Sequence, residues 1–228
     1  RAAVEVLEAA GYRVALPPPW LCCGRPLYDF GMLVTARRLL GRILDALEDE
    51  IAAGTPIIGL EPSCIAVFRD ELRGLFPDDE RARRLGRQAM LLGELLGADG
   101  WRPPRLRRNA LVQFHCHHRA VIGVEAEEKL LRDFLDEVEV PDAGCCGMAG
   151  SFGFEADHYE VSQACAERVL LPTVRARPPE TLILTDGFSC REQVQQGTGR
   201  VAYHLAEVAR LALVLAGDAN PPGRRSWS

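Results

Sequence analysis

Residues 145–153, with the sequence CCGMAGSFG, decide the fold, because they join a short apolar strand pattern to a helical one. Their opening Cys-Cys-Gly tripeptide occurs a second time at residues 22–24. One further cysteine stands about forty residues after each copy, Cys64 after the first and Cys190 after the second. A hydrophobic core has no need of two adjacent sulfurs, so the repeated pair predicts thiolate ligands to a soft metal centre, with iron–sulfur clusters as the first candidate.

Short apolar strands alternate with amphipathic helices along the chain, and this order predicts parallel sheets with helices on their faces. The cysteines fall just after strands, at the carboxyl edge where α/β folds place their ligands. We therefore predict an α/β fold of two similar parallel-sheet units, related by internal duplication, each carrying one Cys-Cys-Gly motif. The predicted strands lie at residues 12–16, 56–60, 110–114, 138–140 and 182–185.

The matched motifs also predict the domain boundaries. The first unit covers residues 1–97 and the second covers residues 109–215, with a Pro- and Arg-rich linker at 98–108 and a tail at 216–228. We expect the first unit to be truncated at its N-terminus, because the chain begins at Arg1 inside a helical pattern. The counterpart of Cys116 would then lie before Arg1.

Composition excludes several classes of protein. The chain has 228 residues, of which 47% are hydrophobic and 26% charged, as in an ordinary soluble globular protein. A net charge of −5 argues against a nucleic-acid binder, and no apolar run is long enough for a membrane span. Eight cysteines are too dilute for a disulfide scaffold, which favours a reduced, cytoplasmic setting. A peripheral position at the inner face of the membrane is compatible with this prediction.

The two halves differ in their sulfur content. The second thiol set, as we call it, has four cysteines and is the predicted ligand set of a [4Fe–4S] cluster; the first thiol set has three and is a candidate degenerate metal site. Glycines and histidines near the second set are predicted to line the cluster pocket. The second thiol set is Cys116, Cys145, Cys146 and Cys190, the first is Cys22, Cys23 and Cys64, and the pocket-lining residues are His115, His117, His118, Gly147 and Gly150.

Other chemistries remain open at this stage. The histidines around Cys116 also suit zinc, which would make the chain a structural or docking α/β module. For the first thiol set, zinc and no metal at all are both open. Cys116 beside a histidine could also be the nucleophile of a hydrolase, but that interpretation leaves both vicinal pairs unexplained. Each pair could finally be two small buried side chains.

The doubled pattern resembles the cysteine-rich (CCG) domain of heterodisulfide reductase and of the iron–sulfur subunits of glycolate oxidase, lactate utilisation and anaerobic glycerol-3-phosphate dehydrogenase systems. The segments that carry the resemblance are residues 21–29, 61–64, 115–118 and 145–153. They are also similar to the C-terminal part of large bacterial fusions. In those fusions an FAD-linked oxidase domain of the D-lactate dehydrogenase and glycolate oxidase type precedes an iron–sulfur region.

This resemblance implies an electron-transfer region of an FAD-dependent D-2-hydroxyacid oxidoreductase. FAD is then expected in an N-terminal part of the parent protein, whose FAD-binding oxidase domain is the expected partner, and a quinone or cytochrome is the expected acceptor. The chain by itself is expected to be inactive. The family pattern ends each unit in Cys-x-x-Cys, but here Glu61 and Gly187 replace the first of those cysteines. Four-thiolate ligation is therefore expected instead of five.

Overall fold

The computed structural model describes residues 1–217, so most of the predicted tail, residues 218–228, lies outside the described residues. The strands are β1 (Ile57–Gly59), β2 (Ala89–Leu91), β3 (Ala110–Val112), β4 (Val138–Glu139), β5 (Leu182–Leu184) and β6 (Ala202–Tyr203). The helices are α1 (Ala2–Ala9), α2 (Arg25–Asp29), α3 (Leu33–Ala46), α4 (Glu48–Ala53), α5 (Pro62–Arg69), α6 (Glu71–Leu75), α7 (Glu80–Gln88), α8 (Leu92–Ala98), α9 (Glu125–Phe134), α10 (Tyr159–Glu167), α11 (Leu170–Arg175), α12 (Phe188–Thr198) and α13 (Leu205–Ala216).

The chain divides into two compact units. Among the described residues, the four-stranded unit comprises residues 1–14, 92–116 and 124–217, and the two-stranded unit comprises residues 15–91 and 117–123. Neither compact unit is continuous in sequence. The predicted units, residues 1–97 and 109–215, are continuous segments that each contain one Cys-Cys-Gly motif. The first thiol set lies in the two-stranded unit and the second in the four-stranded unit.

The four-stranded unit has a parallel sheet in the order β4-β3-β5-β6. Strand β3 is an inner strand of the sheet, because Ala110 is in register with both Val138 and Leu182. All three residues of β3 are buried. A strand covered on both faces reads as a continuous apolar run, and Ala-Leu-Val is such a run. Cys116 follows β3, and Cys190 lies in the first turn of α12 after β5, so both approach the carboxyl edge of this sheet.

The two-stranded unit contains the parallel pair β1-β2, with Ile57 in register with Ala89. Its core comes from the apolar faces of α3 to α7, which bury Leu40, Leu44, Ile65 and Leu85 completely. In both units the strand that precedes the last cysteine pairs in parallel with the next strand along the chain, β1 with β2 and β5 with β6. This matching order fits the predicted duplication, which remains a prediction, while the α/β fold with parallel sheets is confirmed.

One predicted strand is absent. Residues 12–16 have no regular structure, although their alternating pattern predicts a strand. Their counterpart β4 exists because it pairs with β3, and no strand equivalent to β3 precedes residues 12–16 in the described part of the chain. An extended segment without a ladder partner leaves its backbone groups unpaired, so no strand forms. Among residues 1–217, none of the helices combines the length and apolar character of a membrane span.

Candidate metal centre

The second Cys-Cys-Gly turn is shaped by its glycine. Gly147 has a φ of 92°, which L side chains rarely adopt, and a Cβ there would lie 2.1 Å from the Ser162 carbonyl oxygen of α10. Only glycine therefore lets the turn both bend and rest directly on this helix. The bend sends the two neighbouring cysteines in different directions, with Cys145 exposed and Cys146 buried.

The four thiols of the second set lie next to one another. Cys145 contacts both Cys116 and Cys146 through thiol hydrogen bonds, and Cys146 also contacts Cys190. The loops after β3 and β4 and the first turn of α12 thus bring together all four predicted ligands. Backbone groups serve the same sulfurs, because Gly147 N–H donates to Cys145 Sγ at 3.3 Å and Met148 N–H donates to Cys146.

This arrangement favours a thiolate at the exposed position. Hydrogen bonds from the Cys116 and Cys146 thiols hold the pKa of Cys145 well below its usual value. The pKa of Cys146 is raised by its bonds to Cys145 and Cys190, together with burial. Metal ions bind the deprotonated sulfur, so Cys145 is available as a metal ligand at a lower pH than Cys146.

His115 lies beside this set and fills a particular space. Its ring is buried, with Nδ1 3.9 Å from Cys116 Sγ, and a Cβ at position 187 would lie 2.4 Å from the ring carbon Cδ2. Gly187 stands where the resemblance implies a cysteine. The imidazole occupies the space that a side chain at position 187 would need, so a larger residue there would require His115 to move.

The other predicted pocket-lining residues are less closely tied to the sulfurs. His118 is buried in a π-helical turn, and Gly150 is exposed with a φ of 69°. Burial lowers the pKa of His117, and the Arg25 guanidinium lowers it further. The consecutive residues His115, Cys116 and His117 offer ligand atoms that all lie within 4.8 Å of one another, a spacing suited to a single metal ion.

The first thiol set repeats much of this local geometry with fewer sulfurs. Gly24 has a φ of 75° and its N–H donates to Cys22 Sγ at 3.4 Å. Cys22 is exposed and Cys23 is buried. The Sγ atoms of Cys23 and Cys64 are 2.9 Å apart, so the cysteine that follows β1 meets the pair as the repeat predicts.

Charged groups surround the first set. A hydrogen bond from Cys64 lowers the pKa of Cys23 to about 7, and the Arg25 backbone N–H and guanidinium act in the same direction. The Arg25 side chain, which is only 15% exposed, forms ion pairs with Glu71 and Asp29. The first set therefore has a cation beside its buried cysteine, where the second set has a fourth thiol beside its exposed one.

Sequence reasoning missed several buried polar residues of the four-stranded unit. Gln113 and Gln193 are 1% and 0% exposed and bind backbone carbonyls on either side of Cys145–Cys146. Glu127 is buried with its pKa raised, first by desolvation and then by the neighbouring Asp186. Asp186 also accepts a hydrogen bond from Leu205 N–H at 2.8 Å and so caps α13. The only available signal was the position of Gln193 one helical turn after Cys190.

Part of this chain is similar to a known family of cysteine-rich domains. Residues 1–69 match the family model of the cysteine-rich domain CCG, which confirms the resemblance to that domain. The match contains the first thiol set.

Three relatives show how the chain relates to longer proteins. Lactate utilization protein A of Bacillus velezensis is 32% identical over 164 residues, which are 67% of this chain and 66% of that protein. One subunit of the anaerobic glycerol-3-phosphate dehydrogenase of Escherichia coli is 28% identical over 225 residues, 93% of this chain and 54% of that protein. D-2-hydroxyglutarate dehydrogenase of Pseudomonas putida is 27% identical over 207 residues, 90% of this chain and 20% of that protein. The chain thus spans between a fifth and two thirds of these relatives.

Proposed function

We propose that the chain is the iron–sulfur electron-transfer region of an FAD-dependent D-2-hydroxyacid oxidoreductase of the lactate or glycolate type. The observation that carries the proposal is the meeting of four cysteine thiols, Cys116, Cys145, Cys146 and Cys190, from three separate segments. Convergent thiols from strand-end loops are the donor set that an iron–sulfur cluster needs.

The residues around the thiols fit such a group. Cys145 is readily deprotonated, and the N–H groups of Gly147 and Met148 already point at the sulfurs of Cys145 and Cys146. Donation from N–H to sulfur stabilises negative charge on the ligands. A bound [4Fe–4S] cluster supplies a one-electron acceptor and donor, while the protein holds the four sulfurs, removes two of them from water and sets the charge that they tolerate.

The names of the relatives support the oxidoreductase part of the proposal. Two of them are named for dehydrogenases of D-2-hydroxyglutarate and glycerol 3-phosphate, and the third is a lactate utilization protein. Because the chain spans only part of each, we place FAD in a separate oxidase domain of the same parent protein. Electrons from that flavin would pass through this region to a quinone or a cytochrome.

Metal analysis of anaerobically prepared protein tests the cluster. We expect about four irons and four acid-labile sulfides per chain and a broad absorption at about 400 nm from thiolate-to-iron charge transfer. Cys190→Ser should remove them. Cys165→Ser is the matched control, because Cys165 lies on α10 and takes no part in the second thiol set. A colourless protein with one tightly bound zinc would overturn the proposal.

The hydroxyacid part needs the parent protein. With the oxidase domain present, D-lactate, D-2-hydroxyglutarate or a related D-2-hydroxyacid should bleach the cluster absorption in the absence of acceptor, and a quinone or cytochrome should restore it. If glycerol 3-phosphate alone bleaches it, the substrate class is wrong while the electron-transfer role stands.

A zinc-binding structural or docking module is the second candidate. The observation that favours it is the close spacing of His115, Cys116 and His117, since mixed Cys/His sets are ordinary zinc ligands. His117→Ala distinguishes the two candidates. It should leave the iron content of the reconstituted protein unchanged if the four thiols hold a cluster, and it should release zinc if the tripeptide holds that ion.

A further inference from the structure

Two buried glutamines hold the peptide groups on either side of the vicinal cysteines. Gln193 Nε2 donates to the Cys146 carbonyl at 2.9 Å, and Gln113 Nε2 donates to the Gly144 carbonyl at 3.0 Å. Both side chains are fully removed from water. Burying an amide side chain costs free energy unless its polar atoms are bonded. The Nε2 of Gln113 also donates to the Phe114 carbonyl at 3.2 Å, whereas its buried Oε1 has no hydrogen-bond partner among the described residues.

The hydrogen bonds of Gln193 are accounted for on both of its polar atoms. Besides the Cys146 carbonyl, its Nε2 lies 3.3 Å from the carbonyl and 3.3 Å from the hydroxyl of Ser162, and its Oε1 accepts from Gln163 Nε2 at 3.2 Å. The Ser162 hydroxyl in turn donates to Met148 Sδ at 3.7 Å. The amide is therefore fixed in orientation by α10 before it reaches the turn.

Fixing the Cys146 carbonyl also fixes a donor to the metal centre. The carbonyl of Cys146 and the N–H of Gly147 belong to one planar trans peptide and point in opposite directions. Gln193 holds the carbonyl side, and the N–H side donates to Cys145 Sγ at 3.3 Å. Rotation of this peptide would break both bonds together.

The first thiol set shows the same turn built without this network. Counting three residues from the last cysteine, the position of Gln193 is taken by Val67, which is 1% exposed. Ala36 of α3 lies against Gly24, as Ser162 of α10 lies against Gly147. Neither Val67 nor Ala36 can donate a side-chain hydrogen bond to a carbonyl, so the hydrogen bonds that hold the turn of the second thiol set have no counterpart at these two positions of the first.

We propose that Gln193 and Gln113 are positioning residues for the second thiol set, which clamp the turn at 145–147 so that its N–H groups and sulfurs face the metal centre. Gln193 controls the donation from Gly147 N–H to Cys145, and Gln113 anchors the chain entering the pair. The inference rests on the proposed function, since it assigns these residues to the same centre.

The variants for the test are Gln193→Met and Gln113→Met, which keep side-chain length and remove the donor. Gln196→Met is the matched control, because Gln196 is an exposed glutamine of the same helix α12. Ser162→Ala weakens the network from the other side and should change each readout in the same direction by a smaller amount. Circular dichroism and thermal unfolding establish that each variant is folded.

The first readout uses metal-free protein and needs no cluster. We expect alkylation of buried Cys146, followed by mass spectrometry, to be about tenfold faster in Gln193→Met than in the control, because a lost buried hydrogen bond of about 1.4 kcal/mol corresponds to that factor. Equal rates in Gln193→Met, Gln113→Met and the control would overturn the proposal. If Gln193→Met fails to fold, the rate measured in Gln113→Met decides in the same way.

The second readout is the midpoint potential of the reconstituted centre, which a merely structural residue would leave unchanged. Losing the directed N–H donation disfavours the more negative reduced state. Gln193→Met should therefore lower the midpoint potential by up to about 59 mV, which corresponds to a tenfold change in the equilibrium constant for one-electron reduction. A potential equal to that of the control contradicts the proposal. If the wild-type chain binds no iron, the proposed function fails, and the alkylation rates still decide the positioning role.

Discussion

The two Cys-Cys-Gly turns share a backbone and differ in what surrounds it. In each, the glycine has a positive φ, its N–H donates to the first cysteine, the first cysteine is exposed and the second is buried. The second turn adds a fourth thiol and a buried polar clamp, whereas the first has Arg25 and its carboxylate partners. The shared backbone is what the tripeptide requires, and we expect the differing surroundings to decide which turn can hold a cluster.

The largest expected effect separates the two sets by iron content. Cys116→Ala and Cys146→Ala should abolish the cluster, because each removes one of four ligands. Cys22→Ala and Cys64→Ala should leave it in place and cost stability instead, about 1–3 kcal/mol for the half-buried Cys64 and less for the exposed Cys22. Iron analysis and denaturant unfolding of the four variants measure both effects. Equal iron loss in both sets would mean that both are working centres.

The two glycines should differ strongly when a methyl group is added. Gly147→Ala places its Cβ 2.1 Å from a helix carbonyl at a φ of 92°, so we expect a loss of about 3–5 kcal/mol from backbone strain and overpacking together. Gly24→Ala meets its nearest atom at 3.3 Å, and the φ of 75° alone should cost about 1–2 kcal/mol. Urea unfolding of the metal-free variants gives both values. Similar losses would show that α10 can move away from the turn.

The pH dependence of thiol alkylation sharpens the comparison in metal-free protein. Because the pKa of Cys145 lies well below its usual value, its labelling rate should be nearly constant between about pH 6 and 8. The pKa of Cys23 is lowered to about 7, so its thiolate fraction and labelling rate should rise about tenfold over the same range. Site-resolved mass spectrometry after short exposure to iodoacetamide measures both. A steep rise at Cys145 would contradict the hydrogen bonds assigned to it.

The smallest effect compares two buried carboxyl groups. Burial raises the pKa of Glu127, so above its ordinary value of about 4.5 the folded protein keeps a proton that the unfolded chain releases. Stability therefore falls as the pH rises from that value toward the folded pKa. Glu127→Gln removes this loss and should raise stability by about 1 kcal/mol near pH 8 and little at pH 4, roughly 2–4 °C in Tm.

Glu71 is the contrasting case in the two-stranded unit. Its carboxylate pairs with Arg25, and both side chains are largely buried. Glu71→Gln should therefore lower Tm near neutral pH, because it removes the more buried of the two carboxylates that pair with the Arg25 guanidinium and leaves only Asp29. Scanning calorimetry of both glutamine variants compares them directly. If Glu127→Gln also lowers Tm near pH 8, the buried proton that we assign to that carboxyl is wrong.

The periodicity of apolar residues predicted the α/β class and four of the six strands of the described residues, but neither β2 nor β6. The apolar runs predict β1, β3, β4 and β5 to within two residues at each end, because the spacing of buried side chains along the sequence indicates a strand or a helix. The failure at residues 12–16 has the same origin, since a strand also needs a neighbour, and alternation within one segment carries no information about the neighbour.

The thiol sets were predictable because sulfur pairs are rare and their positions relative to strands repeat. Gln193, Glu127 and the imidazole of His115 against Gly187 were not, because a glutamine, an acid or a histidine in a helix or loop has the same appearance whether it faces water or a buried carbonyl. The sequence alone determined the α/β class, the two Cys-Cys-Gly turns and the unequal number of sulfurs. Only the tertiary structure decided which side chains hold those turns, because hydrogen bonds between distant segments depend on packing distances and not on spacing along the chain.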